Sequence, residues 1–65
     1  MMREIIENIA NEFKTKVRRD YRSEEITEEH LQEMMKFIDE IVNEGNDLST
    51  IKMLHVAKMT YIIMK

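Results

Sequence analysis

From Met2 onward, apolar side chains recur at Ile5, Ile6, Ile9, Ala10, Phe13 and Val17. Steps of three and four residues place them on one stripe of an α-helix, so the spacing predicts a first helix over 2–21. The period breaks at Ser23-Glu24-Glu25-Ile26, and Thr27 then offers a hydroxyl to the free amides of a new helix. Ile26 before that cap and Leu31 four positions inside it match a hydrophobic staple, while Glu28 and Glu29 suit the positive end of the helix dipole. Leu31, Met34, Met35, Ile38, Ile41 and Val42 then repeat at helical spacing. Gly45 is a residue that can turn left-handed after a C-cap, which sets a second helix over 28–44.

Asn46 and Asp47 form a short polar connection, and either Asp47 or Ser49 can cap the third helix, over 49–65. With Ser49 as cap, Leu48 and Met53 make a second staple. On a helical wheel Met53, Ala57, Tyr61 and Met64, with Leu54 beside them, form a face that closes a core against the first two helices. Ile51, Met59, Ile62, Val56 and Ile63 fall outside it, and the first three are interleaved with Lys52, His55 and Lys58. A helix apolar nearly all round is normally buried nearly all round, and two neighbouring helices with one stripe each do not wrap it. Strict alternation never lasts, so nothing reads as a strand. The expectation is an all-α, single-domain three-helix bundle over residues 1–65, dimeric through its C-terminal helix.

Size strengthens the case for association. A chain of 65 residues buries only about 60% of its unfolded surface and needs reinforcement. It has no cysteine, which removes disulfides and thiolate metal sites and leaves oligomerisation or folding on a partner. The residues expected to meet a second copy are Phe37, Ile51, His55, Met59, Ile62 and Ile63. Phe37 enters because it forms a ridge with His30, Met34 and Ile41 off the main stripe of the second helix. Two-fold symmetry is the commonest closed arrangement. Met34, Met35, Met53, Met59 and Met64 supply adaptable surface or core filling in equal measure.

Charge divides the chain into three. The net charge of -3 combines six cations and four anions in residues 1–23, Lys36 against nine anions in 24–47, and three lysines with no acid in 48–65. Lys14, Lys16, Arg18, Arg19 and Arg22 complement the negative end of the first helix dipole. The competing use of these five is contact with nucleic-acid phosphates. Glu33, Asp39, Glu40 and Glu44 lie off the apolar stripe of the second helix, first of all as a solvated face. The sharper reading makes them an acidic face for a basic protein partner, steered by electrostatic complementarity.

Catalytic chemistry finds little support. Ser23 and Ser49 stand where capping explains them, without a base in sequence. His30 and Glu33 are one helical turn apart, but helical di-metal sites use paired Glu-x-x-His motifs, and here the order is reversed and occurs once. No glycine-rich phosphate loop exists with Gly45 as the one glycine. A helix-turn-helix comparison around Gly45 fails because Glu40, Glu44 and Asn46 stand where that motif packs apolar side chains. The expected function is a non-enzymatic regulatory or inhibitory protein, of the kind plasmids and phages encode, acting by protein–protein interaction. It needs no cofactor or metal and works as a homodimer with a further macromolecular protein partner. The alternative is a dimeric nucleic-acid-binding protein using the basic end of the first helix. No secretory pattern opens the chain, and the stretch 51–64 falls short of the roughly 20 residues a membrane span needs. A soluble, cytoplasmic protein is expected.

Overall fold

The computed structural model describes residues 2–45 and 47–64. Three α-helices follow one another, α1 (Met2–Arg22), α2 (Glu28–Glu44) and α3 (Leu48–Met64), and each packs against both others. No strand occurs among the described residues. This is the three-helix, all-α bundle that the hydrophobic period predicts. The first helix ends one residue later than its apolar spacing indicates, and the third begins one residue earlier.

The end of α1 explains its extra residue. Glu24 adopts φ 62°, in the left-handed region. Its amide donates to the Tyr21 carbonyl at 3.0 Å, and the Glu25 amide donates to the Asp20 carbonyl at 2.9 Å. These two bonds make a Schellman motif, which satisfies carbonyls that an α-helix would otherwise leave open. Glycine usually takes the left-handed position, because an L side chain there costs roughly 1–2 kcal/mol. Glu24→Gly should therefore stabilise the protein by about 1 kcal/mol after its greater unfolded-state entropy is subtracted. In a domain of this size that raises the thermal midpoint by roughly 4–8 °C. A lower midpoint by calorimetry would count against this description of the helix end.

The start of α2 follows its sequence signal closely. Thr27 has extended backbone, and its hydroxyl oxygen accepts from the His30 amide at 3.1 Å. Ile26 and Leu31, the expected staple pair, are both partly buried against the core. At the other end of α2 the reason for glycine differs from expectation. Gly45 is extended, at φ -160°, so no left-handed turn is made there. A Cβ on Gly45 would instead collide with the Thr50 hydroxyl. The glycine is required by close approach of the chain to the first turn of α3.

That first turn decides between the two expected caps. Asp47, not Ser49, caps α3: its Oδ1 accepts from the Thr50 amide at 3.2 Å and from the Thr50 hydroxyl at 3.3 Å. Leu48 consequently becomes the first helical residue and is exposed, as is Met53, so the second staple does not form. Thr50, satisfied by Asp47, is buried.

Ile6, Ala10, Phe13 and Val17 from α1, Ile38 and Ile41 from α2, and Leu54 and Tyr61 from α3 form the core. In α1 the stripe thins toward its start, where Met2 and Ile5 remain exposed. All six expected stripe residues of α2 are buried or packed against the core. Two cross-helix polar contacts fasten α1 to α2. Arg3 Nη1 donates to the Val42 carbonyl at 2.9 Å, placing a cation at the negative end of the α2 dipole. Lys14 forms an ion pair with Asp39, an exposed contact that adds under about 1 kcal/mol.

The buried face of α3 keeps Leu54, Ala57 and Tyr61 of the face its apolar wheel suggests and is rotated away from Met53 and Met64. Thr50, Leu54 and Tyr61 are buried and Ala57 is half-buried, whereas Met53 and Met64, expected in the core, are 50% and 77% exposed. Polar contacts accompany this face. The Tyr61 hydroxyl donates to Asp20 Oδ2 at 2.6 Å, inside the bundle. Asp20 is itself 1% exposed, and its Oδ1 accepts from Lys16 Nζ at 3.2 Å. The face of α3 turned inward is the one whose hydroxyls find aspartates on the neighbouring segments.

Candidate functional site

Because α3 turns Thr50, Leu54 and Tyr61 inward, much of its apolar surface is left outside. His30, Met34, Phe37 and Ile41 recur at four, three and four residue steps and make a ridge along α2. Met53, Val56, Thr60 and Met64 make the facing ridge along α3, and Ala57 and Tyr61 lie between the two. They enclose an open groove of about 690 Å³ with largely apolar walls. At its floor the His30 ring meets the Tyr61 ring edge-on, with centroids 5.9 Å apart. Phe37 is 44% exposed on one wall and Val56 59% on the other. Large apolar groups left half in water at one place mark an interaction site more often than a solvated surface.

The six residues expected at a subunit seam do not share one face. Phe37 lines the groove. Ile51 is partly buried against the core. Met59 and Ile63 are exposed on the outer side of α3, beyond Val56. His55 and Ile62 are exposed too, but helical spacing carries them round toward the side away from the groove. The apolar spacing of the sequence puts Met53 and Met64 in the core and Val56 outside it, with no place at the seam. The signal for the α2 ridge was present in its spacing. For α3 there was none, since apolar residues occur at almost every angle.

The acidic face is also divided. Asp39 points toward α1 and pairs with Lys14. Glu33, Glu40 and Glu44 are exposed and lie one step outward from Phe37 and Ile41 on the helix, forming an acidic lip along the groove. Lys52 lines the opposite side, on α3.

The five cations of α1 are separated by the same helical geometry. Lys14 is held by Asp39, and Lys16 by the buried Asp20. Arg19 and Lys16 join Lys58 in a shallow polar cleft between α1 and α3, with Asn8, Asn11 and Thr15. Arg18 and Arg22 lie on the α2 side with Tyr21, Leu31 and Met35. Nothing in the sequence pattern marks Asp20 as a core residue. It stands among cations in the last turns of a helix, where an acid reads as solvated.

Ser23 and Ser49 are both exposed, Ser49 at the groove's end. Among the described residues no three histidine, aspartate or glutamate side chains are grouped so as to hold a metal ion. No helix of the described chain is long and apolar enough to cross a membrane. Comparison with protein-family models, with curated proteins and with solved structures finds no match.

Proposed function

We propose that this chain is a non-enzymatic regulatory or inhibitory protein that acts by protein–protein contact and associates with itself through α3. The observation that carries the reading is the apolar groove between α2 and α3, together with the exposed apolar side of α3 beyond it. Met53, Val56, Met59, Ile63 and Met64 are each at least half exposed, a concentration that a chain of 65 residues has little other surface to offset. Helix-in-groove contact is a recurrent mode for such a surface, with anchors at three and four residue steps.

The nucleic-acid alternative draws on Lys14, Lys16, Arg18, Arg19 and Arg22, and it has less support. Two of the five are engaged by aspartates, and the arginines divide between two sides of α1. Phosphate tracking requires cations on a common surface.

Sedimentation equilibrium of the wild type over a range of micromolar concentrations tests the proposal. A reversible dimer is expected. A monomer throughout would remove the self-association on which the reading rests, and duplex binding that weakens steeply with added salt would favour the nucleic-acid class instead.

A further inference from the structure

We infer that the groove between α2 and α3 is filled by α3 of a second copy, reciprocally, with Lys52 of each copy set against the acidic lip of the other. This rests on the self-association reading and specifies its geometry.

Two separate surfaces need covering. One is the groove, with Phe37, Met53 and Val56. The other is the outward side of α3, where Met59 is 59% and Ile63 76% exposed. A heterologous helix laid in the groove covers the first and leaves the second in water. Reciprocal placement covers both, because the α3 that fills one groove presents its outward side to the partner's α2. Each copy then supplies the same groove and the same helix, as a two-fold interface requires.

Charge selects the same occupant. Glu33, Glu40 and Glu44 edge the α2 wall of the groove, whereas 48–65 contains lysines and no acid. Lys52 lies on the side of α3 shared with Met59, Ile63 and Val56, so docking that side brings it to the glutamates of the other copy. An α2 helix offered to the groove in its place would set acid against acid, which costs specificity and affinity. Length agrees as well: both walls run for most of α2 and α3, so a helix the length of α3 spans the groove from end to end.

The arrangement separates residues that simple burial of α3 would treat alike. Val56 and Ile63 enter the interface, and Ile62, toward the side of α3 away from the groove, stays out of it. The test is sedimentation equilibrium of wild type, Val56→Glu, Ile62→Glu, Lys52→Glu and the charge exchange Lys52→Glu with Glu40→Lys, each checked for helicity by circular dichroism. All four sites are exposed, so the monomer fold should tolerate the changes.

Val56→Glu should raise the dimer dissociation constant about a hundredfold or more, as loss of a central apolar anchor does. Ile62→Glu should leave it within about threefold. Lys52→Glu should weaken association about tenfold, and the exchange variant should recover most of that loss. A dimer broken by Ile62→Glu and indifferent to Val56→Glu would overturn the groove assignment while leaving self-association intact. Absence of recovery in the exchange variant would overturn the Lys52 pairing. A wild-type monomer that binds a basic amphipathic peptide in the groove would overturn the inference and the self-association together.

Discussion

Phe13→Ala should remove most of the stability of this protein. The ring is fully buried, at 0% exposure, and it lies 5.9 Å from the Tyr61 ring at a tilt of 54°. It belongs to the core cluster that includes Val17 of its own helix, Ile38 of α2 and Leu54 of α3, so all three elements close around it. Truncating a buried phenylalanine costs about 3–5 kcal/mol through lost transfer energy and the cavity left behind. A domain of this length has roughly 3–10 kcal/mol in total. The variant should show strongly reduced helicity by circular dichroism and a urea transition shifted to low concentration or lost.

Phe37→Ala is the matched control, the same truncation at a half-exposed ring on the groove wall. It should cost about 1 kcal/mol or less in the isolated monomer, because much of its ring stays in water. Equal losses at the two positions would contradict the division of the two phenylalanines between core and groove.

The two rings also show what the sequence makes legible. Phe13 continues an unbroken apolar stripe in an otherwise polar helix, and Phe37 departs from the stripe of α2, so their different fates follow from period alone. Thr27, Ile26 and Leu31 likewise announce the start of α2, because capping is local chemistry between residues near in sequence. The right fold class and nearly the right helix ends follow from such signals.

The orientation of α3 does not follow from them. With apolar residues at almost every angle, its wheel gives only a weak direction, and the face it offers includes Met53 and Met64 beside Leu54, Ala57 and Tyr61. What distinguishes the inward face in the structure is the position of Asp20 and Asp47 relative to the hydroxyls of Tyr61 and Thr50. The pairing with Asp20 spans 41 residues, and nothing in the local pattern of either partner announces it. Gly45 is similar: its sequence context suggests a left-handed turn, but the need for glycine comes from a hydroxyl five residues ahead. The candidate groove was legible on its α2 side and hidden on its α3 side for this reason.

If the Asp20–Tyr61 bond fixes the rotation of α3, Tyr61→Phe should cost far more than the loss of one surface hydroxyl. The carboxylate is buried, and the hydroxyl donates to its Oδ2 at 2.6 Å while Lys16 donates to its Oδ1 at 3.2 Å. A hydrogen bond to a charged group contributes about 1.5–3 kcal/mol, and a buried acceptor that loses a donor bears a desolvation penalty on top of the lost bond. A stability loss of about 2–3 kcal/mol is therefore expected, which at a urea dependence near 1 kcal/mol per molar moves the midpoint by roughly 2–3 M. Asp20→Ala should lose a comparable amount, because the Tyr61 hydroxyl then stays buried without this acceptor. The double variant should lose less than the two singles combined, with a coupling of about 1–3 kcal/mol. Lys16→Met tests the other end of the cluster and should cost under about 1 kcal/mol, since its ammonium is partly solvated. Additive losses for Asp20 and Tyr61 would show that the two act independently. The inward face of α3 would then owe its choice to Leu54 and Ala57, and the exposure of Met53, Val56 and Met64 in the groove would need a different cause.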